Sequence, residues 1–122
     1  MALRMFVRNA TGIVVGGRVR DIEELKSTGL PVWATGLSTV GTGAETKAHA
    51  LNVPVKIEGA LVNPGDIMFC DPVNGVVVIP REKLEEVIEL IPKIVAADQK
   101  AKDDVAKGML VQEAFKIHRG DL

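Results

Sequence analysis

The sequence holds a single cysteine, so no disulfide can form within the chain. Cys70 lies in an apolar stretch, where a small buried hydrophobe is expected before a nucleophilic thiol. Tyrosine is absent and Phe and Trp together make up 3% of residues, too few for a platform on which single-stranded bases stack. Neither sign of charge dominates, and a formal net charge of −1 gives no electrostatic grip on a phosphate backbone, so no nucleic-acid partner is expected. There is no basic-then-apolar leader and no apolar run of about 18 residues. From this we expect a soluble, cytoplasmic protein without a membrane partner. His49 and His118 stand alone, without the spaced ligands of a zinc site, and are read as surface or hydrogen-bonded histidines.

What is present suffices for one domain. With 122 residues, 47% of them hydrophobic, a real but modest core can form and disorder is not indicated. Met5, Phe6 and Val7 between Arg4 and Arg8 have the spacing of an amphipathic helix end. Ile13 to Val15 running into Gly16-Gly17 predicts a buried strand, and Asp21-Ile-Glu-Glu-Leu25, closed by Ser27-Thr-Gly29, a short helix. Val32-Trp-Ala34 predicts a second strand, followed by a Gly/Ser/Thr loop over 36–43. Further strands are expected at 53–57, 67–70 and 76–79, with a turn at Asn63-Pro-Gly-Asp66 and a reversal at Asp71-Pro-Val-Asn-Gly75. Beyond Pro80 the period becomes helical: Leu84, Val87, Ile88, Ile91 and Val95 share a face, and Pro92 should kink or split that helix. Gly108 should end it, before a last short helix over 110–118.

The residues most able to carry chemistry are Gly16-Gly-Arg-Val-Arg-Asp21. In α/β layers ligands gather where strands end and helices begin. An arginine there grips a carboxylate through two parallel hydrogen bonds, and an aspartate holds a hard divalent cation directly or through its waters. The structural alternative is a near capping box, Asp21-x-x-Glu24, in which the side chains satisfy free N–H groups of the first helical turn. Spacing alone leaves both open. Of Arg18 and Arg20, only one is expected to serve the site. The Gly- and Thr-rich stretch 36–47 lacks the Gly-Lys-Ser/Thr ending of a phosphate-cradling loop. Asp71 suits a turn as well as a subunit boundary.

Taken together, Gly12-Ile-Val-Val-Gly-Gly-Arg-Val-Arg-Asp-Ile-Glu-Glu-Leu25, Gly29-Leu-Pro-Val-Trp-Ala34, Asn52-Val-Pro-Val55, Val62-Asn-Pro-Gly-Asp66 and Asp71-Pro-Val-Asn-Gly-Val-Val-Val-Ile-Pro80 resemble consecutive blocks of the regulator-of-ribonuclease-activity-like family. That family includes the 4-hydroxy-4-methyl-2-oxoglutarate aldolases. Ser38 to Lys47 is similar to its eukaryotic, fungal branch. The resemblance implies an α/β fold, a swivelling β/β/α-type domain, here N-terminally shortened and occupying 1–122 with C-terminal helices at about 81–118. It also implies homo-oligomers, trimers or pairs of trimers, with active sites between subunits.

The implied activity is that of a metal-dependent lyase using Mg²⁺ or Mn²⁺, cleaving 4-hydroxy-2-oxo acids and decarboxylating oxaloacetate. Carried over by position, Arg20 matches the pyruvate-binding arginine and Asp21 the metal anchor, with Gly17 and Glu24 in support. The family's substrate-holding glycine loop stands about twenty residues before the Arg-Asp pair. That position precedes Met1, so part of the site is expected to be missing. The competing expectation is a noncatalytic module, since the same family includes a regulator that binds a ribonuclease. A methyltransferase is not expected, because no glycine-rich cofactor loop follows the first strand.

Overall fold

A computed structural model describes residues 1–120, apart from the side chain of Glu45. The chain is mixed α/β and divides into two compact units, Met1–Val78 and Ile79–Leu122. The single unit expected over 1–122 includes Asp121 and Leu122, which lie outside the described residues.

The first unit begins with α1 (Ala2–Val7), followed by β1 (Ile13–Val19), α2 (Ile22–Ser27) and β2 (Val32–Leu37). β1 and β2 pair in parallel, joined by the helical crossover that parallel strands require. The β2 strand runs three residues beyond the expected Ala34, because Gly36 stays in the ladder opposite Arg18. Register fixes an important detail: Val15 pairs with Ala34 but Arg18 with Gly36, so Gly16 and Gly17 oppose Thr35 alone. This is a β-bulge, one extra residue that bends a strand and raises its twist. Gly16 also eases a close approach, since a Cβ there would stand 3.3 Å from Ile57 Cγ1, and that side chain would have to give by a few tenths of an ångström.

A short helix, α3 (Thr42–Glu45), begins within the last two residues of the loop expected over 36–43. Next come β3 (Val55–Ile57) and β4 (Ala60–Val62), an antiparallel hairpin. The sequence reading took this region as one strand over 53–57 and missed the reversal. Its turn is Glu58-Gly59, with φ of 46° and 91°, the two positive values of a tight hairpin turn. Glutamate is a poor occupant of that first position, where asparagine is favoured, so no turn signal showed. We expect Glu58→Asn to raise stability by about 0.5–1 kcal/mol, read as a higher midpoint in chemical denaturation.

β5 (Ile67–Asp71) and β6 (Gly75–Ile79) form the third two-stranded sheet. The reversal between them is organised by Asp71, whose Oδ1 accepts hydrogen bonds from the Val73 and Asn74 amides at 2.8 and 2.6 Å and from Asn74 Nδ2 at 3.1 Å. The two amides, Asn74 first, hold the Asp71 carboxyl below its ordinary value. Asp71 is thus a turn residue.

The second unit holds a single 3₁₀ turn (Arg81–Lys83), α4 (Leu84–Ala106) and α5 (Val111–Arg119). Pro92 does not split α4, which continues through it for 23 residues. Proline removes one amide donor and crowds the carbonyl four residues earlier, that of Ile88; both Ile88 and Pro92 are exposed, so water can satisfy what the helix loses. Gly108, with φ of 101°, closes α4. The Met109 amide bonds Asp104 O and the Gly108 amide bonds Val105 O, the paired bonds of a Schellman cap.

Small residues let α4 and α5 approach closely: Ala97, Ala101 and Ala114 are buried, Ala114 completely. Two polar links tie the same helices. His118 Nε2 lies 2.7 Å from Asp104 Oδ2, and Arg119 Nη2 donates to Asp98 Oδ2 at 2.8 Å while its guanidinium covers the Phe115 ring. His118 is therefore a hydrogen-bonded histidine, as expected. The bond to His118, then that to Lys107, holds the Asp104 carboxyl below its usual value. A depressed carboxylate stabilises the fold above its unfolded pKa and ceases to as pH falls through the folded one. We expect helical ellipticity to be insensitive to Asp104 above about pH 4 and to fall below it, and Asp104→Asn to remove part of that acid dependence.

Candidate functional site

The end of β1 carries the site. Past Val19 the chain leaves the strand, and Asp21 enters α2 from the left-handed region, with φ of 58° and ψ of 49°. Aspartate tolerates this conformation better than most residues, and such strain clusters at functional positions. Asp21 stands at the helix N-cap position, yet its side chain makes no capping hydrogen bond. The capping-box alternative is therefore not realised: the Asp21 carbonyl starts the helix by accepting the Leu25 amide, while Oδ2 turns to Arg20 Nε at 2.9 Å. Both side chains are about half exposed, 46% and 52%, so the pair adds little to stability.

A glycine-bearing stretch after β2 adjoins Arg20. The Ser38 amide bonds Val19 O at 2.8 Å, carrying the chain past the end of β1. A Cβ at Gly41 would stand 3.6 Å from Arg20 Nη1, so the guanidinium lies close to this backbone. Earlier on the same stretch, a Cβ at Gly36 would stand 3.8 Å from Arg18 Cγ. Sequence spacing gave no ground for separating the two arginines, because residues two apart on a strand share a face. The structure agrees with that alternation: Arg18 and Arg20 are exposed and Val19 between them is half-buried.

Of the supporting residues, Gly17 belongs to the bulge and is not crowded, its nearest neighbour being Val15 Cγ1 at 4.0 Å. Glu24 lies in the first turn of α2, three residues from Asp21. Among the described residues no group of three or more His, Cys, Asp or Glu is placed to enclose a metal. The donor set at Asp21, one carboxylate with a second acid one turn on, does not fit a closed Zn²⁺ site. It does fit a hard cation such as Mg²⁺, which keeps several waters and uses one or two carboxylates.

Two adjoining hollows open in the first unit, of about 550 and 380 Å³, sharing Val14, Trp33, Ile57, Val62 and Met68. Cys70 lines the larger, half-buried, and Trp33 Nε1 donates to Asp71 O at 3.4 Å. Neither hollow includes Arg20 or Asp21, whose side chains are open to solvent. His49 is exposed. No helix among the described residues is long and apolar enough to cross a membrane.

The chain is similar to several known proteins. The chain is 39% identical over 107 residues to protein DlpA of Legionella pneumophila, covering 87% of this chain and 17% of that protein. It is 32% identical to an uncharacterised protein of Methanocaldococcus jannaschii, covering 95% of this chain and 55% of the other. A putative 4-hydroxy-4-methyl-2-oxoglutarate aldolase of Halalkalibacterium halodurans is 30% identical, over 85% of this chain and 49% of its own. The chain thus spans about half the length of the latter two relatives and much less of the first. A crystal structure of an uncharacterised protein from Pseudomonas syringae pv. tomato superposes with a TM-score of 0.74 at 25% identity, over 93% of this chain and 53% of that one. The RraA-like family model, Aldolase/RraA, matches residues 1–78, the unit that carries Arg20 and Asp21, and the chain belongs to that family.

Proposed function

We propose that the first unit supplies the substrate-carboxylate and metal-binding half of a lyase site. The reaction is cleavage of 4-hydroxy-2-oxo acids such as 4-hydroxy-4-methyl-2-oxoglutarate, together with decarboxylation of oxaloacetate. The observation that carries this reading is the Arg20–Asp21 pair, held at a strand end by a left-handed aspartate that does no capping.

In this reading Arg20 binds the pyruvyl carboxylate, its planar fork matching the two oxygens and fixing the 2-oxo group beside Asp21. Asp21 would hold Mg²⁺ or Mn²⁺, with Glu24 as a supporting acid or serving α2 alone. The chemistry such an ion supplies when bound is Lewis-acid withdrawal of electron density from the 2-oxo group. Arg20 adds a fixed positive charge where negative charge gathers as the carbon–carbon bond breaks.

The open rim favours a site completed by another chain, and we propose a homo-oligomer, a trimer or pair of trimers, acting in the cytoplasm. Apolar side chains of the first unit, among them Phe6, Leu61 and Phe69, are more than half exposed, which suits burial in an assembly. A second reading, a noncatalytic protein-binding module, is favoured by the same exposure and by the absence of Arg20 and Asp21 from either hollow.

Pyruvate release from oxaloacetate and from 4-hydroxy-4-methyl-2-oxoglutarate separates the two readings. With Mg²⁺ or Mn²⁺ we expect turnover above the spontaneous metal-driven background, abolished by chelator. A folded chain with no turnover on either substrate would leave the binding module.

A further inference from the structure

We propose that Arg18 is the second carboxylate-binding residue of this site, holding the acid group remote from the pyruvyl end and selecting dicarboxylic oxo-acids over monocarboxylic ones. The inference rests on the reading of Arg20 as the pyruvyl-carboxylate anchor.

Three observations carry it. Arg18 and Arg20 flank half-buried Val19 and are both exposed, Arg18 as the penultimate residue of β1 and Arg20 one residue past its end. Both follow the same glycine-bearing stretch, Arg18 with its stem beside Gly36 and Arg20 with its head beside Gly41. Among the described residues Arg20 is paired with Asp21, whereas Arg18 has no ionic partner. The charge of Arg18 is thus left for an anionic ligand.

The spacing is suitable too. Two residues of chain span at most about 7 Å, a separation that flexible arginine stems close easily onto the two ends of a four- or five-carbon diacid. A guanidinium rather than an ammonium fits this task, because its donors lie in one plane and meet both carboxylate oxygens. Glycine at 36 and 41 leaves the backbone beside each arginine bare, a Cβ there standing in ordinary contact at 3.8 and 3.6 Å.

The test is calorimetric binding of pyruvate and of 2-oxoglutarate, in Mg²⁺, to the wild-type chain, Arg18→Gln and Arg20→Gln. The wild type should bind the diacid more tightly than pyruvate. Arg18→Gln should weaken 2-oxoglutarate binding about ten- to hundredfold, the worth of a charge-assisted hydrogen-bonded contact, and leave pyruvate unchanged; Arg20→Gln should weaken both ligands. If Arg18→Gln affects the two ligands equally, or neither, Arg18 is not the selecting group. If Arg20→Gln changes neither, or the wild type binds neither, the underlying site assignment fails instead.

Discussion

Arg20→Ala is expected to lower kcat/KM for pyruvate release about a hundred- to a thousandfold, the range seen when one group that meets developing charge is deleted. Two losses combine: the substrate carboxylate has no fork to align it, and the reacting 2-oxo group has no nearby cation. The fold should survive. Arg20 lies beyond the end of β1, its side chain is 46% exposed, and its ion pair with Asp21 is solvent-screened. Denaturation midpoints of the variant and wild type should therefore nearly coincide. Unchanged turnover in a folded Arg20→Ala protein would refute the assignment.

Asp21→Asn is expected to have a comparable effect on activity by a different route. Asparagine accepts the left-handed conformation as readily as aspartate, so φ of 58° is retained without added strain. What disappears is the negative charge. Mn²⁺ binding, followed by electron paramagnetic resonance, should weaken strongly, and turnover should fall at least about a hundredfold, in line with loss of a directly placed catalytic charge. Asp21→Ala is the informative contrast, because a Cβ-bearing residue without a polar side chain adds about 1–2 kcal/mol of backbone strain there. A variant with asparagine at 21 that still binds Mn²⁺ like the wild type would move the metal anchor elsewhere.

Much of this was legible in the residues. The glycine pair, the arginines and the aspartate announce a strand end opening into a helix, and β1 and α2 stand where that block puts them. Gly108 stops α4 as its backbone freedom suggests. The turn in the β3–β4 hairpin was hidden because Glu58 occupies a position that turn chemistry assigns to asparagine. Pro92 misled in the opposite direction: its local penalty is real, but 23 residues of helix packed through Ala97 and Ala101 outweigh it. The distinction between capping and pairing at Asp21 could not come from Asp-x-x-Glu spacing, since both uses share it; only the backbone angle and the direction of the carboxylate separate them.

The extra residue in β1 puts residues an odd number apart in phase. Val15 and Arg18 stand three apart, yet they pair with Ala34 and Gly36, which are two apart and share a face. Removing Gly17 alone would let Gly16 take Thr35 by itself, with Arg18 still opposite Gly36 and Val19 still opposite Leu37. The ladder would become more regular and Arg18 would keep its side; what would go is the bend and added twist with which the strand now delivers its cationic end.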